Sequence, residues 1–196
     1  LVSTGGGSND LRLGKGESGD LTVGGDYTQT GGWLLITGEG GGTRKMTVNK
    51  NFSLQSGTFC TSFYSGSGTL NVNGNFSSAG TFIFSYSNST GSTFNLKGNC
   101  TISGGTMYMS TSNASSTFNV SGNFSHTGGT ITQLSGGSGS VVFNGSSPQI
   151  YTSGGTVSNM INFTVNNGAY LQMGTGATPG YITGGGTFTL QAGATL

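Results

Sequence analysis

Short runs in which apolar and polar residues alternate recur along this chain at a nearly fixed interval. Matching segments open at Leu21, Met46, Leu70, Phe94, Phe118 and Val141, with successive spacings of 25, 24, 24, 24 and 23 residues. Three of them read Met-Thr-Val-Asn-Lys-Asn-Phe-Ser from Met46, Leu-Asn-Val-Asn-Gly-Asn-Phe-Ser from Leu70 and Phe-Asn-Val-Ser-Gly-Asn-Phe-Ser from Phe118. Strict alternation is the period of a strand, so Leu70 and Val72 or Phe118 and Val120 point inward, while Thr22, Thr47, Asn71, Asn95 and Asn119 form an outward polar ladder. A corner follows, and then an aromatic position, Tyr27, Phe52, Phe76, Cys100 and Phe124, turns inward. A second strand carries Trp33, Phe59, Phe82, Met107 and Ile131, expected to stack as a second apolar ladder. The Ser/Gly/Asn stretch that closes each repeat is expected to form a corner and a polar third side, since these residues accept turn dihedrals.

A unit of about 24 residues cannot bury its own apolar face and must stack on its neighbours. The pattern therefore predicts an all-β, right-handed parallel β-solenoid with three short sides and about eight rungs, on the order of 40 Å long at ~4.8 Å per rung. It is read as one domain over 1–196: a lead-in and partial rung at 1–20, regular repeats at 21–140 and more divergent rungs at 141–196.

Composition sharpens this picture. The 196 residues include 40 glycines without a Gly-X-Y period, which excludes collagen, and 12 Phe and 7 Tyr at recurring offsets, which disorder does not require. Only 11 residues are charged. All five acids, Asp10, Glu17, Asp20, Asp26 and Glu39, precede residue 40, and no Lys or Arg follows Lys97. A net charge of +1 without a basic stripe gives no footprint for nucleic acid, and no apolar run is long enough for a membrane span. The start at Leu1 has neither a basic n-region nor an h-region, as expected of a mature product or an excised fragment. Cys60 and Cys100 fall more than one rung apart, so two free thiols are expected, Cys100 buried and Cys60 on the outer face.

The last third of the chain resembles the repetitive β-helix regions of large secreted surface proteins and adhesins of Bacteroidota-type bacteria. The residues that carry the resemblance are Val-Val-Phe-Asn-Gly-Ser-Ser-Pro-Gln-Ile from Val141, Ile-Asn-Phe-Thr-Val-Asn-Asn-Gly-Ala-Tyr-Leu from Ile161 and Phe-Thr-Leu-Gln-Ala-Gly-Ala-Thr-Leu from Phe188. The resemblance implies rungs of a right-handed β-helix exported to the cell surface as a stalk or adhesive surface, with no catalytic residue.

Parallel β-helices also house polysaccharide lyases and hydrolases, whose chemistry normally needs paired carboxylates. The repeat array offers none, and the single histidine, His126, follows Ser125 in a rung corner and is expected on the surface with no acid to orient it. Neither a catalytic residue, a metal ligand nor a cofactor site is therefore assigned. Acceptor sequons begin at the same corner of four consecutive rungs, at Asn51, Asn75, Asn99 and Asn123, and others begin at Asn88, Asn113, Asn119, Asn144 and Asn162. They read either as asparagine ladders along the stack or as the sites of a glycosylated rod.

The expectation for function is a non-enzymatic extracellular structural or adhesive element, secreted or at the cell surface. Its partners would be itself, head to tail as a filament, or neighbouring rungs of a longer chain, together with surface glycans. Neither end carries the charges or prolines that normally block strand edges. The alternatives are an ice-binding face, for which the Thr22 to Asn119 ladder is irregular, and a carbohydrate-binding module using exposed aromatics such as Tyr86 or Tyr108.

Overall fold

The computed structural model describes residues 2–3, 10–12, 19–36, 42–87, 89–134, 136–174 and 184–196. Every regular element among them is a strand, and every strand pairing is parallel. The chain is a β-solenoid.

One sheet takes a strand from each rung in chain order: Gly19–Val23, Thr43–Val48, Ser67–Val72, Gly91–Leu96, Ser115–Val120, Ser138–Phe143, Asn162–Val165 and Phe188–Leu190. Identical positions stack. Met46 lies over Leu70, then Phe94, Phe118, Val141 and Phe163, all inward and fully buried. The second sheet is bent. Its strands Tyr27–Leu35, Phe52–Phe63, Cys100–Tyr108 and Phe124–Thr132 run around a corner, whereas two rungs split there into Phe76–Ser78 with Thr81–Tyr86 and Gln149–Ser153 with Thr156–Val157. Each rung thus has three sides, and the third side is the second half of this strand. The serine-rich stretch, expected to be that side, is instead the corner leading back to the first sheet. Buried serines of the strands beside it are hydrogen-bonded there: Ser85 to Ser116 at 2.8 Å, Ser92 to the Phe84 carbonyl at 2.6 Å and Ser62 to the Gly66 carbonyl at 2.5 Å.

Glycine makes the bend in the second sheet. Gly32, Gly57, Gly105 and Gly129 take φ of 65°, 82°, 68° and 73° there, a region costly for residues with a Cβ. Space is denied as well, since a Cβ on Gly129 would stand 2.6 Å from the carbonyl carbon of Gly104 in the rung below.

Inside, the aromatic column Tyr27, Phe52, Phe76, Cys100 and Phe124 runs as expected, and Tyr151 continues it. Phe94 stacks on Phe118 with centroids 4.5 Å apart, and Phe52 meets Phe59 edge-on at 4.8 Å. The second apolar ladder differs by one residue in its first rung. Trp33 pairs with Thr58, so Leu34 joins Phe59, Phe82, Met107 and Ile131 in the core and Trp33 is 36% exposed. A one-residue slip changes the face of a strand. Here the bend takes three residues in both rungs, Thr30 to Gly32 and Gln55 to Gly57, with irregular pairing at Thr30, and the constant offset of 25 sets Leu34 opposite Phe59.

Both cysteines are free. Cys100 sits in the aromatic column, where burial pushes its thiol well above the ordinary range. Cys60 points away from that core as expected but is not exposed, because it lies with Leu35 and Ile83 in a small outer cluster roofed by Phe63, Tyr86 and Tyr108. Burial raises its thiol to about 12. His126 also departs from expectation. It is fully buried, two residues after Phe124 on the inward face, at the rung position that Gln29 fills in the first repeat.

Candidate functional surface

The surface is built of ladders. At the corner between the first and second sides, the Asn51 N–H donates to Asp26 Oδ1, Asn75 N–H to Asn51 Oδ1, Asn99 N–H to Asn75 Oδ1 and Asn123 N–H to Asn99 Oδ1, each at 2.9 Å. Ile150 N–H closes the series on Asn123 Oδ1 at 2.9 Å. These four sequon asparagines therefore satisfy corner amides of the next rung through Oδ1, and they remain exposed. Asn119 lies on the flat outer face of the first sheet, where its Nδ2 donates to Asn95 Oδ1 at 2.8 Å and Asn95 Nδ2 to Asn71 Oδ1 at 2.9 Å. Asn144 accepts from Ser121 Oγ at 2.9 Å, Asn162 Oδ1 accepts from the Thr187 N–H and hydroxyl, and Asn113 is exposed at the serine-rich corner. Asn88 lies outside the described residues.

The acids do not converge. Asp20 pairs with Lys45 of the next rung at 2.7 Å, with both side chains about half exposed, and Asp26 heads the asparagine ladder. Asp10 belongs to the short strand Asp10–Arg12, and Glu17 and Glu39 lie outside the described residues. Among the described residues no three His, Cys, Asp or Glu side chains gather as metal ligands would.

His126 is enclosed by protein. Neither ring nitrogen makes a hydrogen bond of full geometry, the Gly129 backbone being only a weak polar contact, and a Cβ on Gly155 in the rung above would overlap the imidazole. Burial lowers its pKa below the ordinary 6.5, with partial opposition from the Gly129 backbone. The titratable neighbours in the adjoining column are Cys100 and Tyr151, both held neutral by burial.

The third side carries the chemistry that the sequence reading missed. Thr58, Thr81, Thr106, Thr130 and Thr156 pair in consecutive rungs and face outward, forming a row of five hydroxyls headed by Trp33. The signal was present as a Gly-Thr pair in each rung, at Gly57-Thr58, Gly80-Thr81, Gly105-Thr106, Gly129-Thr130 and Gly155-Thr156. Beside the threonine row runs an apolar one, Leu35, Cys60, Ile83 and Tyr108.

Three residues further along the rung, a third column is interrupted. Phe63 and Tyr86 pair in adjacent rungs with their rings 4.8 Å apart and 2° from parallel. The Thr111 N–H bonds to the Ser85 carbonyl and the Leu134 N–H to the Ser110 carbonyl, both at 2.8 Å, which sets Thr111 above Tyr86 and Leu134 above Thr111. A small residue thus follows two stacked rings. The gap is a cleft of about 390 Å³ lined by Ile83, Tyr86, Ser87, Tyr108, Thr111 and Leu134.

Neither a protein-family model, nor a curated protein, nor a solved structure matches the chain.

Proposed function

We propose that this chain is a non-catalytic structural and adhesive rod that works outside the cell and is continued at its ends by further rungs, from a neighbouring copy or from a longer chain. The observation that carries the reading is the unbroken register of the first sheet. Eight strands stack position on position, and Phe188–Leu190 adds to Asn162–Val165 by the same rule that added every strand before it. The exposed edge of that last strand ends an apolar column, with Leu190 46% exposed and Phe188 partly buried.

Such an edge is a template for pairing, and head-to-tail pairing between unlike ends propagates into a fibre instead of closing. Near-zero net charge supports the same reading, because little repulsion opposes contact between copies. The scattered acids and the enclosed His126 suit a role in which surface and length matter more than a reaction centre.

Sedimentation velocity across a hundredfold range of protein concentration tests the proposal. A sedimentation coefficient that climbs with concentration, and falls back when Leu190→Lys places a charge on the terminal edge, supports it. A constant monomer value over the whole range overturns pairing between copies.

A further inference from the structure

We propose that the cleft above Tyr86 is a binding site for a neutral glycan, with one pyranose ring occupying the place of the ring that the column lacks. The inference names a ligand for the adhesive part of the rod and rests on the fold of a single chain, so it stands independently of end-to-end stacking.

Parallel stacking in a solenoid repeats a side chain every ~4.8 Å, and Phe63 and Tyr86 obey it with rings 4.8 Å apart. Thr111 takes the next position, so the face of Tyr86 turned away from Phe63 is uncovered, and Leu134 stands two rungs above Tyr86, roughly 9.6 Å along the axis. A flat ring inserted over Thr111 would contact the phenol on one side and the Leu134 side chain, 47% exposed, on the other. Ile83 and the Tyr108 ring add apolar surface to the lining. A volume of about 390 Å³ falls within the range of small-molecule sites.

The polar groups decide what kind of ring it is. Four of the six lining residues carry a hydroxyl, Ser87, Thr111, Tyr86 and Tyr108, with Thr111 Oγ1 donating to the Ser85 carbonyl at 3.3 Å and so presented as an acceptor, and the threonine row through Thr81, Thr106 and Thr130 continues alongside. No carboxylate follows Glu39 in the chain and no Lys or Arg follows Lys97, and none lines the cleft. An aromatic face matches the C–H face of a sugar, and hydroxyls match its equatorial groups. A uronate or sulfated sugar would find no counter-charge here, which leaves a neutral one.

Affinity electrophoresis at micromolar protein, through gels containing galactomannan, xyloglucan or laminarin, and in parallel gels containing alginate or polygalacturonate, reads the binding directly. Thr111→Phe supplies the missing ring and plugs the slot without removing any core contact, whereas Tyr86→Ala removes the platform. The expected result is retardation by at least one neutral polysaccharide, none by the acidic ones, and affinity about tenfold lower or worse in both variants, while Thr111→Phe melts at or above the wild-type temperature. Tyr86→Phe should keep most of the affinity. The proposal is overturned if no neutral gel retards the protein, if the acidic gels retard it equally, or if Thr111→Phe binds like the wild type. Sedimentation of the same variants keeps the two readings apart, because the stacking edge lies at Phe188–Leu190, several rungs from the cleft.

Discussion

His126 makes the stability of this rod depend on pH. The side chain is fully buried, neither ring nitrogen makes a hydrogen bond of full geometry, and its pKa lies below the ordinary 6.5 because burial disfavours the imidazolium. In the unfolded chain the ring protonates near 6.5, so below that pH the unfolded state binds more protons and the folded state is disfavoured. The contribution is complete above 6.5 and is lost as pH falls toward the folded pKa, at a slope that approaches about 1.4 kcal/mol per unit. If the buried ring stays neutral throughout, the loss between pH 7 and pH 5 reaches about 2 kcal/mol. Urea melts of the wild type and His126→Gln at half-unit steps from pH 7.5 to 5 check the reasoning. Gln is the replacement the structure suggests, since at the equivalent position Gln29 Nε2 donates to the carbonyls of Gly31, Gly32 and Thr58 at 3.2, 3.1 and 2.9 Å. The wild-type midpoint should fall through this range while that of His126→Gln stays flat. A flat wild-type curve, or an equal slope in both proteins, refutes the argument.

Three further outcomes follow from the packing. Leu34→Ala should cost about 2–5 kcal/mol and Trp33→Ala under about 1 kcal/mol by denaturant melting, because Leu34 fills the core column and Trp33 heads an outer row; the reverse order would restore the register expected from sequence. Gly129→Ala should lower stability by about 2 kcal/mol or more, from its φ of 73° and the close Gly104 backbone, and an unchanged midpoint in the same assay would contradict that. In a host that attaches N-linked glycans, mass spectrometry should find Asn75, Asn99 and Asn123 occupied ahead of Asn119, since their ladder bonds use Oδ1 whereas Asn119 commits its Nδ2 to Asn95; preferential occupancy of Asn119 would count against the ladder geometry.

The stack was legible because period and alternation together determine which residues share a column. Phe94 and Phe118, 24 residues apart, are such a pair, and the observed register agrees. What failed lay around the bends. The chain passes from Gln29 to Trp33 and from Leu54 to Thr58 in equal steps, so the offset of 25 between Tyr27 and Phe52 already places Trp33 beside Thr58 and Leu34 beside Phe59, and Trp33 was placed inward on its apolar character instead of its count. His126 read as a corner residue because Ser125-His126 looks polar, yet a residue two after an inward Phe124 must itself point inward. Cys60 was assigned correctly to the outer side, but its roof comes from Phe63 and from Tyr86 and Tyr108 of the following rungs, contacts that only stacking creates. The cleft was illegible for a related reason. Tyr86 and Tyr108 were named individually as exposed aromatics, whereas the gap between Tyr86 and Leu134 exists because the rungs align Thr111 between them.

The central claim is that rungs continue one another beyond a single copy. Electron microscopy of concentrated protein, with diffraction from aligned specimens, tests it most directly. The account predicts unbranched filaments of constant width with a ~4.8 Å spacing along the filament axis, the parallel strands lying across it. Isolated short particles at every concentration, or fibres whose ~4.8 Å spacing runs across the axis, would contradict it.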